Sequence, residues 1–234
     1  MRVIVTGASR GIGKGVAAFL AMDGCAVGLI ARSAELLGDV CAGIREQGGT
    51  AFGAACDLRD FDMTQAAIEA LVENLGGIDA LINNAGVVLR KSVWDISLDE
   101  WRTLFDTNVT GMFHATRAVL PIFRQQGHGH VINVSSISGK VPLPGGSAYA
   151  ATKFAVTGFT QSLLSEVRDF GIKVTAIFPG SVDSSSPRHD ALIDASWKLR
   201  PEDIGQACAQ VLRAAPGTVI SEIEIRPLRR PPTA

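Results

Sequence analysis

Val3-Ile4-Val5-Thr6-Gly7-Ala8-Ser9-Arg10-Gly11-Ile12-Gly13 decides how the chain is read. Three β-branched residues in succession leave no polar position for a wet sheet face, which marks a strand covered on both sides. The glycines that follow punctuate a tight turn, and the apolar periodicity after Ile12 is helical. Strand, glycine turn and helix N-terminus in that order present orphan backbone N–H groups where the chain can approach a pyrophosphate closely. A glycine-rich turn alone is also ordinary turn chemistry, so its meaning rests on its neighbours.

Outward from that stretch the same alternation continues. Strands are predicted at residues 3–5, 26–30, 50–55, 80–82, 131–134, 173–178 and 220–225. Helices are predicted at 12–23, 34–47, 63–75, 98–124, 149–170 and 201–214. Gly24, Gly48, Gly76, Gly127 and Gly171 stand where helices must stop, as suits a residue that takes the left-handed conformation freely. Ser97-Leu98-Asp99-Glu100 has the pattern of a capping box, and Pro201, Glu202 and Asp203 open the last helix. Alternating strands and helices with apolar strands give an α/β, doubly wound, three-layer α/β/α sandwich around a seven-stranded parallel sheet.

With 234 residues, 47% hydrophobic and 19% charged, the chain is long enough for one core and too apolar for disorder. It reads as a single domain over residues 1–234, with a short substrate-covering segment at 185–200. A net charge of -1 lacks the basic excess that nucleic acid binding requires. No apolar run reaches the roughly 18 residues of a membrane span, and no secretory leader is expected. Cys25, Cys41, Cys56 and Cys208 are scattered without metal-ligand spacing, so reduced thiols, no metal and a cytoplasmic location are expected. His128 and His130 flank a glycine and read as a solvated turn.

The spacing of the glycine turn is Thr-Gly-x-x-x-Gly-x-Gly, and here the chain resembles the short-chain dehydrogenase/reductase family, a Rossmann-type fold. The resemblance implies a nicotinamide dinucleotide, with Gly7, Ser9, Arg10 and Ile12 lining its phosphates. At the second strand end an NAD site needs a carboxylate for the ribose hydroxyls, whereas a 2'-phosphate needs cations. The chain has Ala31-Arg32-Ser33 there, and Arg32 and Arg10 are suited to grip phosphate oxygens, which favours NADP(H). Cys56-Asp57-Leu58 is similar to the family's adenine contact, made through the Asp57 side chain and the Leu58 backbone. Asn83-Asn84-Ala85-Gly86 is similar to its Asn-Asn-Ala-Gly motif, whose Asn84, Ala85 and Gly86 lie against the cofactor ribose.

Tyr149-Ala150-Ala151-Thr152-Lys153 puts a phenol and an ammonium on one helix face, thirteen residues after Ser136. A phenol beside an ammonium is suited to exchange a proton with a carbonyl or alcohol oxygen. Tyr149 is the one tyrosine of the chain. The resemblance implies Tyr149 as general acid and base, Lys153 holding the nicotinamide ribose and tuning Tyr149, Ser136 orienting substrate, and Asn108 holding a water behind Lys153. Ser135 is the neighbouring alternative to Ser136. Pro179-Gly180-Ser181-Val182-Asp183-Ser184 is similar to the segment that meets the carboxamide, through Pro179, Gly180, Val182 and Ser184.

After Ser184 the match thins. Leu143, His189, Ile193 and Trp197 are candidates to border a substrate, and Glu222-Ile223-Glu224-Ile225 departs from the Gly-Gly tail of many relatives. Long apolar faces on the helices at 98–124 and 149–170 suggest a homodimer or homotetramer. The expected function is an NADP(H)-dependent oxidoreductase that interconverts a small-molecule ketone or aldehyde with its alcohol. The alternative is a non-catalytic NADP-binding sensor or scaffold on the same fold. A sugar-nucleotide epimerase needs a larger C-terminal substrate region.

Overall fold

The computed structural model describes residues 1–142, 144–184 and 195–229. Seven parallel strands form one sheet in the order β3-β2-β1-β4-β5-β6-β7. They are β1 (Arg2–Thr6), β2 (Ala26–Ala31), β3 (Thr50–Ala55), β4 (Ala80–Asn83), β5 (Gly129–Val134), β6 (Ile172–Pro179) and β7 (Glu222–Ile225). Val3, Ile4 and Val5 are fully buried, as a strand sandwiched between helix layers requires.

One face is covered by α1 (Gly11–Met22), α2 (Ala34–Glu46) and α7 (Pro201–Leu212). Val16, Leu20, Leu37, Val40, Ile204 and Val211 pack there against Val3, Val5, Val27 and Ile177. The other face is covered by α3 (Phe61–Leu75), α5 (Gly111–Gln126) and α6 (Ser147–Val167). Ile68, Leu71, Val119, Phe123 and Leu163 meet Ile4, Leu81, Val131 and Val174 there. The arrangement is a three-layer, Rossmann-like α/β/α sandwich.

Local signals set the element ends. Gly24, Gly48, Gly76, Gly127 and Gly171 all have positive φ. Ser97 and Glu100 complete the capping box of α4 (Leu98–Phe105). The helix predicted at 98–124 is instead two helices, because Asp106–Thr110 forms a wider π turn between α4 and α5. Such insertions break the 3.6-residue ladder without changing the apolar pattern, and they are frequent at functional sites. His130 also departs from expectation: it is buried in β5, with Nε2 2.8 Å from Thr175 Oγ1, while His128 is exposed.

The order reverses between β1 and β4, the point where open α/β sheets form a crevice beyond the strand ends. Polar side chains stitch that point together. Thr6 Oγ1 accepts from the backbone N–H groups of Asn84 and Ala85, each at 3.1 Å. Asn84 Nδ2 donates to the carbonyls of Thr6 and Gly7 at 3.1 and 3.3 Å. One layer deeper, Asn83 Nδ2 donates to Thr116 and Asn133, and Asn133 Nδ2 donates to Thr160, so α5 and α6 are tied to β4 and β5.

Candidate active site

A cavity of about 360 Å³ opens over the carboxyl ends of β1, β2, β4, β5 and β6. Its floor is the glycine turn. Gly7 has φ +67°, which L side chains rarely adopt, and a Cβ on Gly13 would lie 2.3 Å from the Gly7 carbonyl oxygen. Only glycine at both positions lets α1 start this close to β1. Gly7, Ser9, Arg10 and Ile12 border the cavity at this floor.

The end beyond β2 is polar and charged. Ala31, Arg32, Asp57 and Leu58 line it with Arg10. Ser33 does not line it: its hydroxyl accepts from Leu36 N and caps α2. Arg59, which the motifs do not single out, lines the cavity and holds Asp57 through Nε at 3.0 Å and Nη2 at 2.6 Å. This pairing, aided by the charge of Arg32, draws the Asp57 carboxyl below the usual carboxylate range. Asp57-x-Arg59 is a local charge pair visible in the sequence, but nothing in its spacing says which way it faces.

At the opposite end Ser136, Tyr149 and Lys153 line the same cavity, with Asn84, Ala85 and Gly86 on the wall between. Pro179, Gly180, Val182 and Ser184 close the far side. Lys153 is buried, its Nζ donates to Val134 O at 2.9 Å and lies 5.9 Å from the Tyr149 ring centre. Burial pulls its pKa from 10.5 to about 8, so the ammonium form still predominates at neutral pH.

The two adjacent serines do different things. Ser135 Oγ donates to Lys153 O at 3.1 Å and lies 3.3 Å from Thr157 Oγ1. Ser136 Oγ accepts from Ser138 N at 3.1 Å, capping a short turn, and its own proton remains free to be directed elsewhere.

Asn108 does not line the cavity. It is buried in the π turn, accepts from Val87 N at 2.7 Å and donates to Val87 O at 3.0 Å and Thr152 Oγ1 at 3.1 Å. One amide thereby fixes the loop after β4 and the helix turn that carries Lys153. Val87, Val88, Leu89 and Thr107 also line the cavity, although none of them is singled out from the sequence as a site residue. Leu143, His189 and Ile193 lie outside the described residues. Trp197 is half-buried and does not line the cavity.

The family profile described as short chain dehydrogenase matches residues 1–191. An uncharacterized oxidoreductase of Staphylococcus aureus (strain USA300) is 34% identical over 225 residues, 96% of each chain. Among solved structures, an alcohol dehydrogenase of the archaeon Thermococcus sibiricus, complexed with 5-hydroxy-NADP, is 26% identical with a TM-score of 0.89. It covers 100% of this chain and 99% of its own. A 3-oxoacyl-[acyl-carrier protein] reductase of Brucella melitensis with bound NAD is 30% identical with a TM-score of 0.86, over 96% of this chain and 89% of its own.

Proposed function

The chain belongs to the short-chain dehydrogenase/reductase family, and we propose that within it the protein is an NADP(H)-dependent enzyme interconverting a carbonyl and an alcohol. The observation that carries this reading is the convergence of Ser136, Tyr149 and Lys153 at one end of a cavity whose other end holds Arg10 and Arg32.

The cavity fits a dinucleotide. The glycine floor leaves backbone room for phosphates, Asn84, Ala85 and Gly86 offer a narrow wall for a ribose, and Gly180 and Ser184 stand beside the reacting end. Arg10 and Arg32 are suited to a 2'-phosphate, and no carboxylate stands at Ala31-Arg32-Ser33 to receive ribose hydroxyls instead. Bound nicotinamide supplies or accepts the hydride.

Tyr149 gives its phenolic proton to the carbonyl oxygen in reduction and takes it from the alcohol in the reverse direction. Ser136 donates to the same oxygen with the proton left free by its capping role. The Lys153 ammonium favours the phenolate form of Tyr149, and its anchor on Val134 O fixes it in place. Asn108 acts through others, as a positioning residue for the Lys153 turn and the loop after β4.

Exposed Trp101, Phe113 and Phe154 on α4, α5 and α6 support a homodimer or homotetramer packed through these helices. Light scattering of the purified protein should return a multiple of 24.6 kDa, and a monomer mass overturns that part.

The activity is tested by following NADPH absorbance with a panel of ketones, aldehydes and oxo acids, for wild type and Tyr149→Phe, repeated with NADH. Turnover that falls by about 10³-fold or more in Tyr149→Phe, with NADPH binding kept, is expected. Tight NADPH binding without turnover across the panel favours the sensor alternative, and faster turnover with NADH overturns the assignment of Arg10 and Arg32.

A further inference from the structure

Next to the reacting end lies a second, smaller recess of about 30 Å³, walled by Arg90, Ser138, Pro144, Gly146 and Tyr149. Tyr149 borders both spaces. Arg90 directly follows Val87, Val88 and Leu89, which line the main cavity, so one short loop runs from the cavity to the recess.

Among the described residues the charges there are one-sided. Lys91 is paired with Glu100 at 2.5 Å, whereas Arg90 is exposed and makes no ion pair or hydrogen bond among the described residues. Among the described residues no carboxylate walls the recess, and the carboxylate they place on the main cavity, Asp57, is held by Arg59 at the far end. Among the described residues the charged side chains lining the reacting end are Lys153 and Arg90. The recess has room for about two water molecules, which is the size of a carboxylate group and too small for a ring or an acyl chain.

We propose that Arg90 receives the carboxylate of the substrate, so that the preferred substrates are short oxo acids and their hydroxy acids rather than neutral ketones and alcohols. In the reducing direction an oxo acid, NADPH and a proton give the hydroxy acid and NADP⁺, the proton coming from Tyr149. The guanidinium fork matches both oxygens of a carboxylate, and its place beside Tyr149 sets the carboxylate a few bonds from the reacting carbonyl. The inference rests on the carbonyl–alcohol reading above.

The test compares C4 to C6 oxo acids with their methyl esters, which keep the shape and lose the charge. Wild type should prefer acid over ester by about 10–100-fold in kcat/KM, the worth of a charge-assisted pair. Arg90→Met should bring that ratio close to one, chiefly through KM for the acid, and Arg90→Lys should keep part of it. An ester used as well as the acid, or a ratio that Arg90→Met leaves intact, overturns the proposal. Calorimetric titration of the same acids into NADPH-loaded Tyr149→Phe reads recognition without turnover. Acid binding that needs Arg90, in a wild type that turns over nothing, overturns the catalytic reading and the substrate preference built on it and keeps Arg90 as a carboxylate-binding group. Absence of acid binding, or binding insensitive to Arg90→Met, overturns this one.

Discussion

Two basic side chains are buried at opposite ends of β5, and burial lowers the pKa of both. His130, near the start of the strand, titrates at about 4, and Lys153, bonded to Val134 O at its end, titrates at about 8. The surroundings separate them. His130 sits in a packed region against Thr175, whose own proton goes to Ile220 O, so Nε2 carries a hydrogen and donates to Thr175. Lys153 faces a cavity shared with Tyr149 and Ser136. A displaced pKa therefore reports burial in either place. It points to chemistry only where the group borders a cavity with other reactive side chains.

The contrast breaks most visibly at Lys153. Replacing it with Met should cost about 10²–10⁴ in kcat, because the phenol loses its neighbouring charge. The same change should leave the fold as stable or up to about 2 kcal/mol more stable at pH 7. Lowering the lysine pKa from 10.5 to about 8 costs about 3 kcal/mol wherever both states are protonated, and an orphaned Val134 carbonyl costs about 1–3 kcal/mol in return. Kinetics and thermal melts on one preparation check both halves; lost stability with intact kinetics reverses the assignment.

At the other end the expected signature is pure stability. The folded pKa of His130 lies below the unfolded value of 6.5, so the unfolded chain binds the proton first as pH falls. Stability is at its full value above pH 6.5 and drops by about 3 kcal/mol on the way to pH 4. Paired carboxylates add to the loss mainly below about pH 5, which leaves the range from 6.5 to 5 to the histidine. Urea unfolding of His130→Gln should be nearly flat across that range, with kcat at neutral pH close to wild type. A slope that persists assigns the loss to another group.

Arg59 sharpens the same contrast among exposed groups. It borders the cavity and covers the charge of Asp57, so Arg59→Ala should leave a bare carboxylate facing a 2'-phosphate. NADPH affinity, read by fluorescence, should fall about tenfold and NADH affinity much less. Asp57→Asn in the same chain should restore part of the loss if masking is the cause; equal weakening of both cofactors shows a role in adenine contact instead.

The fold is legible because its signals are local. Val3-Ile4-Val5 states a two-sided strand, and the five helix-stopping glycines state their own backbone conformation. The cavity is legible wherever a motif ends a strand, as at Gly7, Asn84 and Ser136, since parallel sheets gather those ends on one edge. What escapes is long-range. In the π turn at Asp106–Thr110, Asn108 reaches Val87 and Thr152, contacts 21 and 44 residues away. Ser33 looks like a cofactor residue from its neighbours, yet the start of α2 claims its hydroxyl. His130 reads as a turn residue because its strand begins at Gly129, and the partner that buries it is Thr175 on β6.

The smallest expected effect distinguishes two neighbouring serines that a motif treats alike. Ser135 reaches the cavity edge, but its hydroxyl donates to Lys153 O within a group that includes Thr157 and the Gly139 carbonyl. Gly139 is held so close that a Cβ there would lie 2.6 Å from Ser135 Oγ. Ser135→Ala removes one neutral hydrogen bond, and Lys153 O keeps Thr157 Oγ1 as a donor at 2.9 Å. The cost should therefore be about 1 kcal/mol of stability, with no carbonyl orphaned. Turnover should stay within about threefold of wild type, because the change removes a hydroxyl that points into the protein, and a threefold change is only about 0.65 kcal/mol of barrier. If Ser135→Ala instead stops turnover while leaving the melt unmoved, the hydroxyl that meets substrate belongs to Ser135, and Ser136 is only the cap of the turn after β5.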